Sequence, residues 1–264
     1  MSHWKFCLAL ILGGSMSIVT ATASAADFRE RFEKREYVDA DGQKLPYRLL
    51  KPRDYDAKKQ YPLVVLLHGA GERGTDNTAQ LVHGAGDFAS DKIMESYPAF
   101  VIVPQCPEDK QWVQVPWTAD EHRMPEQAAT PLRQTLELIA ELQKEFSIDA
   151  RRLYITGLSM GGFGAWDAIQ RHPERFAAAA VVCSGGDATL AKTIKDVPVW
   201  AFHGELDDVV KVRRSRDMIA ALKAAGGQPK YTEYPGVGHN SWTATYSDLE
   251  LYKWLFAQRR AEKL

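Results

Sequence analysis

Three features of the sequence predict an α/β layer fold built on a mostly parallel sheet of about eight strands. Short β-type runs alternate with helical stretches along the chain. Leu63 to Leu67 and Phe100 to Val103 are uninterrupted apolar runs, as expected of strands covered on both faces. No internal repeat, low-complexity tract or linker divides residues 26–264, so one domain is expected there. The chain has 264 residues, 45% hydrophobic and 25% charged, which suffices for a full core.

Residues 1–25 read differently from the rest. Lys5 supplies a positive charge, Phe6 to Val19 is apolar apart from small residues, and Ala23-Ser24-Ala25 matches an A-x-A cleavage site. This is the layout of a secretory signal peptide. The apolar run is short for a membrane span of roughly 20 residues, so cleavage and a periplasmic or secreted location are expected, with no span left in the mature chain.

The remaining elements follow in order. Glu36 to Val38 and Leu45 to Leu50 flank Asp41-Gly42, a hairpin-turn signal. After the two apolar strands, Pro131 to Phe146 places Leu132, Leu136, Ile139 and Leu142 at mostly helical spacing. Leu153 to Thr156 is a strand, and Phe163 to Gln170 a helix closed by His172-Pro173. Ala178 to Val182, Val197 to Phe202 and Lys230 to Tyr234 read as strands. Ser215 to Ala225 is a helix ended by Gly226-Gly227, and Leu249 to Arg259 is the last helix. Pro104 to Thr130 is long and polar, carries Trp112 and Trp117, and reads as a functional loop.

Charge and spacing exclude several function classes. The formal net charge is -1, with no block of like charges, so nothing points to nucleic acid or an anionic membrane. His and Cys show no metal-ligand spacing, and neither a metal nor a cofactor is expected.

The chemistry-bearing segment is Gly157-Leu-Ser159-Met-Gly161, a G-x-S-x-G turn between a strand and a helix. Glycines at both ends allow the close approach of strand and helix, and the sharp turn lifts the serine hydroxyl above the sheet edge. It also aims the Met160 backbone N–H at the reacting carbonyl. A serine hydroxyl is a poor nucleophile near neutral pH and needs a base, which in turn needs an orienting acid. Such a turn takes its partners in the order serine, acid, histidine. Of the seven histidines only His172, His203 and His239 follow Ser159. His239 lies in a glycine-rich loop after the last strand and is the expected base. Glu205, Asp207 and Asp208 are the acid candidates. Asp207, 48 residues after the serine and 32 before the histidine, is preferred, with Asp208 the alternative.

Together these residues resemble the α/β-hydrolase superfamily, in particular its secreted or periplasmic carboxylesterases and predicted peptidases, related to polyhydroxyalkanoate depolymerases and feruloyl esterases. The resemblance covers nearly all of residues 26–264. It rests on His68-Gly-Ala-Gly-Glu-Arg-Gly74, Pro104-Gln-Cys-Pro107, the serine turn, and His203-Gly-Glu-Leu-Asp207 followed by Gly238-His239. It implies an α/β-hydrolase fold, a mostly parallel eight-stranded sheet with helices on both faces. It favours Asp207 as the acid, makes the Ala70 N–H the second oxyanion donor beside Met160, and gives His68 a structural role in holding the loop. Glu72 and Arg73 are expected to brace that loop or to form a solvated ion pair. Lys211 stands where many members carry a proline, a departure confined to the loop after the acid. The implied strand order sets Cys106 and Cys183 roughly 14 Å apart, beyond the reach of about 7 Å that a disulfide requires. Both are therefore expected to be free.

The function so implied is serine-dependent hydrolysis of carboxylic esters through an acyl-enzyme. Trp112 and Trp117 are expected to contact substrate, Trp242 less so. No large lid helix of the lipase kind is inserted, which favours short-acyl or aromatic esters, including those attached to polysaccharide. The oligomer is expected to be a monomer or a small homo-oligomer. A serine peptidase using the same triad, and a catalytically silent binding protein, are the alternatives from other classes.

Overall fold

The computed structural model describes Met1 and residues 27–261; the expected signal peptide therefore lies outside the described residues. Eight strands form one sheet: β1 (Phe32–Val38), β2 (Lys44–Leu50), β3 (Tyr61–Leu67), β4 (Phe100–Pro104), β5 (Ile148–Leu158), β6 (Ala178–Val182), β7 (Val199–Gly204) and β8 (Lys230–Tyr234). Their order across the sheet is β1-β2-β4-β3-β5-β6-β7-β8. β1 and β2 form the antiparallel hairpin that the Asp41-Gly42 turn foretells, with Gly42 at φ 76°. β2 also meets β4 antiparallel, and every later pairing is parallel.

Alternation along the strands divides the core in two. On one face Leu63, Val65, Leu67, Ile102, Ile155 and Val181 meet α3 (Thr130–Glu145), α4 (Met160–Arg171) and α5 (Arg213–Ala224). On the other face Val64, Leu66, Val103, Ala180 and Phe202 meet α1 (Ala85–Phe88), α2 (Asp91–Ser96) and α7 (Leu249–Ala257), and Tyr246 of α6 (Trp242–Ser247) packs there too. Neither face of the central strands sees water. That is why β3 and β4 read as continuous apolar runs.

The expected strands and long helices are all present, and most extend beyond the periodic residues that signalled them. β5 starts at Ile148, well before Leu153, and α4 begins at Met160, directly after the serine. The short helices α1, α2 and α6 carry too few turns to show a period. Cys106 follows β4 and Cys183 follows β6, with β3 and β5 between them. Both cysteines are buried and free. Among the described residues no helix is long and apolar enough to cross a membrane.

Candidate active site

β5 hands the chain to α4 through one residue. Ser159 sits at φ 51°, ψ -121°, a conformation that strains any residue with a side chain. Its N–H donates to the Val182 carbonyl at 3.0 Å, which pins the turn to β6. A side-chain carbon on Gly157 would collide with the Gly161 carbonyl, and one on Gly161 with the carbonyls of Leu67 and His68. The two glycines are thus required by close backbone approach.

The hydroxyl so presented meets His239. Nε2 of His239 lies 2.9 Å from Ser159 Oγ, and Nδ1 lies 2.7 Å from Asp207 Oδ2. The hydroxyl donates to Nε2, and Nδ1–H donates to the carboxylate. Asp207 Oδ1 accepts the N–H groups of Val209 (2.9 Å) and Val210 (2.8 Å), which fixes the carboxylate plane. Burial alone would raise the Asp207 carboxyl. Hydrogen bonds from His203, His239 and the Val210 N–H outweigh it and hold the group well below the usual carboxylate range.

The loops carrying acid and base are joined backbone to backbone. Glu205 N–H donates to the Tyr234 carbonyl and Leu206 N–H to the Val237 carbonyl. A side chain on Gly204 would strike the carbonyls of Val237 and Gly238. The other acid candidates turn away: Asp208 is exposed, and exposed Glu205 accepts the Gly236 N–H. His172 caps the far end of α4, about 20 Å along its axis from the serine.

His203 is fully buried beneath the acid and takes no place beside the serine. Its Nε2 lies 3.1 Å from Asp207 Oδ2 and 2.8 Å from the Val210 carbonyl. Its Nδ1 lies 2.7 Å from Ser215 Oγ, and that hydroxyl donates to the Ser184 carbonyl. The imidazole thus contacts the same carboxylate oxygen as His239 and helps to hold it. The His-Gly spacing before the acid was visible in the sequence, but this contact was not.

Ala70 begins a short turn after β3, and Met160 begins α4. Among the described residues neither N–H has an acceptor. Two unpaired donors thus flank the serine, one of them at a helix N-terminus, where partial positive charge collects. His68 holds the loop as expected. Its Nδ1–H donates to the Gly69 carbonyl at 2.7 Å, and its Nε2 accepts the Cys106 N–H at 2.9 Å. Burial pushes this imidazole down to about 4, against a weaker opposing pull from the Gly69 carbonyl. Arg73 braces the same loop through the Ala70 carbonyl at 2.9 Å. Glu72 does not pair with Arg73 among the described residues. Its carboxylate instead turns toward His83, with Oε1 3.6 Å from Nε2.

A cavity of about 240 Å³ opens over the serine, lined by Ser159, His239, Ala70, Glu72, Trp117 and Trp242 among others. Trp117 is where the sequence placed it. The expectation for Trp112 is corrected: its side chain is fully buried, its indole N–H donates to the His68 carbonyl at 3.0 Å, and it packs beneath the loop. An indole packed beneath the loop that carries Ala70 cannot face the cavity. His83 and Val209 also line the cavity; their sequence surroundings gave no sign of it. A larger cleft, about 560 Å³, lies at the other end of β5, where Arg175 and Arg260 donate to the Leu136 and Ala150 carbonyls.

A family model described as phospholipase/carboxylesterase matches residues 55–252. The chain belongs to the phospholipase/carboxylesterase family. The match runs from the segment before β3 to within α7 and so includes every residue of the site above. Its sheet order and flanking helices are those of the α/β-hydrolase fold. Among solved structures, one described as a thermostable esterase superposes with a TM-score of 0.83 at 42% identity, covering 88% of this chain and 64% of its own. A bifunctional acetylxylan esterase/xylanase of Neocallimastix patriciarum is 35% identical over 79 residues, 30% of this chain and 12% of its own length. An uncharacterized secreted protein of Arthroderma benhamiae is 25% identical over 221 residues, 70% of this chain and 22% of its own length. This member of the family thus spans less than two thirds of each of these relatives.

Proposed function

We propose that the protein is a serine carboxylic ester hydrolase acting through an acyl-enzyme. The observation that carries this reading is the continuous relay from Ser159 Oγ through His239 to Asp207 at the mouth of a cavity. Family membership and the 42% identical esterase support it.

His239 Nε2 takes the proton of Ser159 as Oγ attacks the ester carbonyl carbon. Asp207 keeps the Nδ1–H tautomer in place and stabilises the imidazolium that forms. The Ala70 and Met160 N–H groups receive the oxyanion, each such donor contributing about 2.7–4 kcal/mol to lowering the barrier. The tetrahedral intermediate collapses, the C–O bond to the alcohol breaks, and His239 protonates the leaving oxygen. Water, deprotonated by His239, then attacks the acyl carbon. The acid leaves and Ser159 regains its proton. The cavity and its tryptophans suit short-acyl or aromatic esters, and the acetylxylan esterase relative supports esters attached to polysaccharide. Residues 1–25 act as a cleaved export signal in this reading, supported by their composition and by the secreted relative.

The test is a rate comparison on p-nitrophenyl acetate, p-nitrophenyl octanoate, methyl ferulate and a dipeptide p-nitroanilide, with Ser159→Ala as blank. Ester turnover is expected to exceed amide turnover and to fall by at least about a thousandfold in Ser159→Ala, which stays folded. Dominant amide cleavage would make the enzyme a peptidase, and an active Ser159→Ala would remove the serine from the mechanism.

A further inference from the structure

Arg214, in the first turn of α5, is 2% exposed, and among the described residues no carboxylate forms an ion pair with it. Burial pushes its guanidinium down, and the carboxylates of Asp217, Asp120 and Glu121 pull more weakly the other way. Asp120 bonds Lys211 instead, and Asp217 bonds Arg213. A buried charge without a paired opposite charge is costly, so its place in the fold calls for a physical reason.

Its contacts supply one. Two of its donors reach the long segment between β4 and α3: Nη1 donates to the Ala119 carbonyl at 2.8 Å, and Nη2 donates to His122 Nδ1. The guanidinium carbon lies 5.1 Å from the centroid of the Phe163 ring, and the His122 ring packs against the same ring at 5.7 Å. Phe163 is buried in α4, one turn beyond Ser159. Arg214 thus clamps this segment between α5 and the helix that starts at the nucleophile. The clamped residue closes a turn at 116–119, where the Ala119 N–H donates to the Pro116 carbonyl at 3.1 Å. Trp117 lies within that turn, half-buried, and borders the cavity together with Ser159 and His239. Farther along, Asp187 Oδ2 accepts the Met124 N–H at 2.9 Å and fixes the other side of the segment.

We infer that Arg214 is a positioning residue for substrate binding: it holds the turn at 116–119 so that Trp117 forms one wall of the cavity. This rests on the ester hydrolase reading above and adds to it a residue that does not line the cavity. Hydrogen bonds from a charged donor are the strong ones, and here the donor is shielded from water. Without the guanidinium, the Ala119 carbonyl and the His122 ring lose their donor. The turn then keeps the exposed Asp120–Lys211 pair at 2.7 Å, which holds little. The indole no longer has one fixed place. A cavity wall touches the ester alike in the ground state and the transition state, so displacing it raises KM and leaves kcat nearly as it was.

The experiment measures kcat and KM separately for Arg214→Met, Trp117→Ala and the double variant, with Ser159→Ala as blank. The substrates are p-nitrophenyl acetate and methyl cinnamate, which carry a ring on the alcohol and the acyl side, and propyl acetate, which carries none. Arg214→Met is expected to raise KM by about fivefold or more for at least one ring-bearing ester, with kcat and the propyl acetate rate within about twofold of the parent. In the Trp117→Ala background the same substitution should change KM by less than about twofold, since the wall it positions is gone. His122→Phe keeps a ring beside Phe163 but offers Arg214 no acceptor, and should raise the same KM, so the test stands even if Arg214→Met melts too low to assay. Trypsin cleavage after exposed Arg123 should also be faster in Arg214→Met than in the parent. An unchanged KM in both single variants at the clamp, a loss confined to kcat, an equal KM rise with and without Trp117, or an unchanged tryptic rate would each overturn the positioning role while leaving ester hydrolysis standing. A parent that cleaves no ester would overturn the hydrolase reading and this role with it.

Discussion

At the scale of single residues, position relative to hydrogen-bonding neighbours decides role. Asp207 and Asp208 are adjacent and chemically identical, yet one is buried in contact with two imidazoles and the other is exposed. Asp207→Asn is expected to lower kcat by about 10⁴, since the amide no longer fixes the imidazole tautomer. Asp208→Asn should stay within a few fold, and the reverse ranking in steady-state kinetics would reassign the acid. His68 makes a different prediction. Its Nε2 accepts a backbone N–H, and in the folded protein its value is held near 4, against about 6.5 for an unperturbed imidazole. The folded state resists protonation there, so the associated stability is complete above about pH 6.5 and is lost as pH falls toward 4. The loss is on the order of 3 kcal/mol. Urea unfolding from pH 7 to 4 should show this slope in the wild type. His68→Gln, which does not titrate in that range, should lack this contribution.

At the scale of elements, the serine turn was legible because two glycines and a strained serine leave a fixed spacing in the sequence. The long irregular segment after β4 was also legible as a loop, but its inner side was not. A tryptophan in a polar stretch gives no sign of which way it faces, and Trp112 faces inward onto His68 and Gly164 while Trp117 borders the cavity. Trp112→Ala is expected to cost about 3–5 kcal/mol in denaturant unfolding through the void it leaves and the lost bond to the His68 carbonyl. Trp117→Ala should cost less stability and show chiefly as a raised KM for aromatic esters. Equal stability losses for the two would mean that Trp117, too, is mainly structural.

At the scale of the whole molecule, the sheet order sets what can meet. Two strands separate Cys106 from Cys183. Burial pushes the Cys106 thiol up to about 12 and the Cys183 thiol upward as well. Neither is a ready nucleophile even in an oxidising compartment. A thiol reagent is expected to leave both unreacted in the native state and to label both after unfolding in denaturant; rapid native labelling of either would contradict this burial. The same sheet order brings the ends of β3, β5, β7 and β8 to one edge, where their loops carry Ala70, Ser159, Asp207 and His239.

By itself the sequence determined the α/β class, the strand succession, and the serine and histidine of the relay, while the acid stayed open between Asp207 and Asp208. Each leaves a local mark: an apolar run, a glycine pair, or a fixed chain order. The tertiary structure alone decided that His203 contacts the Asp207 carboxylate, that Trp112 supports the Ala70 loop from below, and that Glu72 and Trp242 line the same cavity as the serine. These are contacts between residues far apart in the chain, set by which loops the sheet brings side by side. No local period or spacing encodes the direction in which a loop side chain finally points.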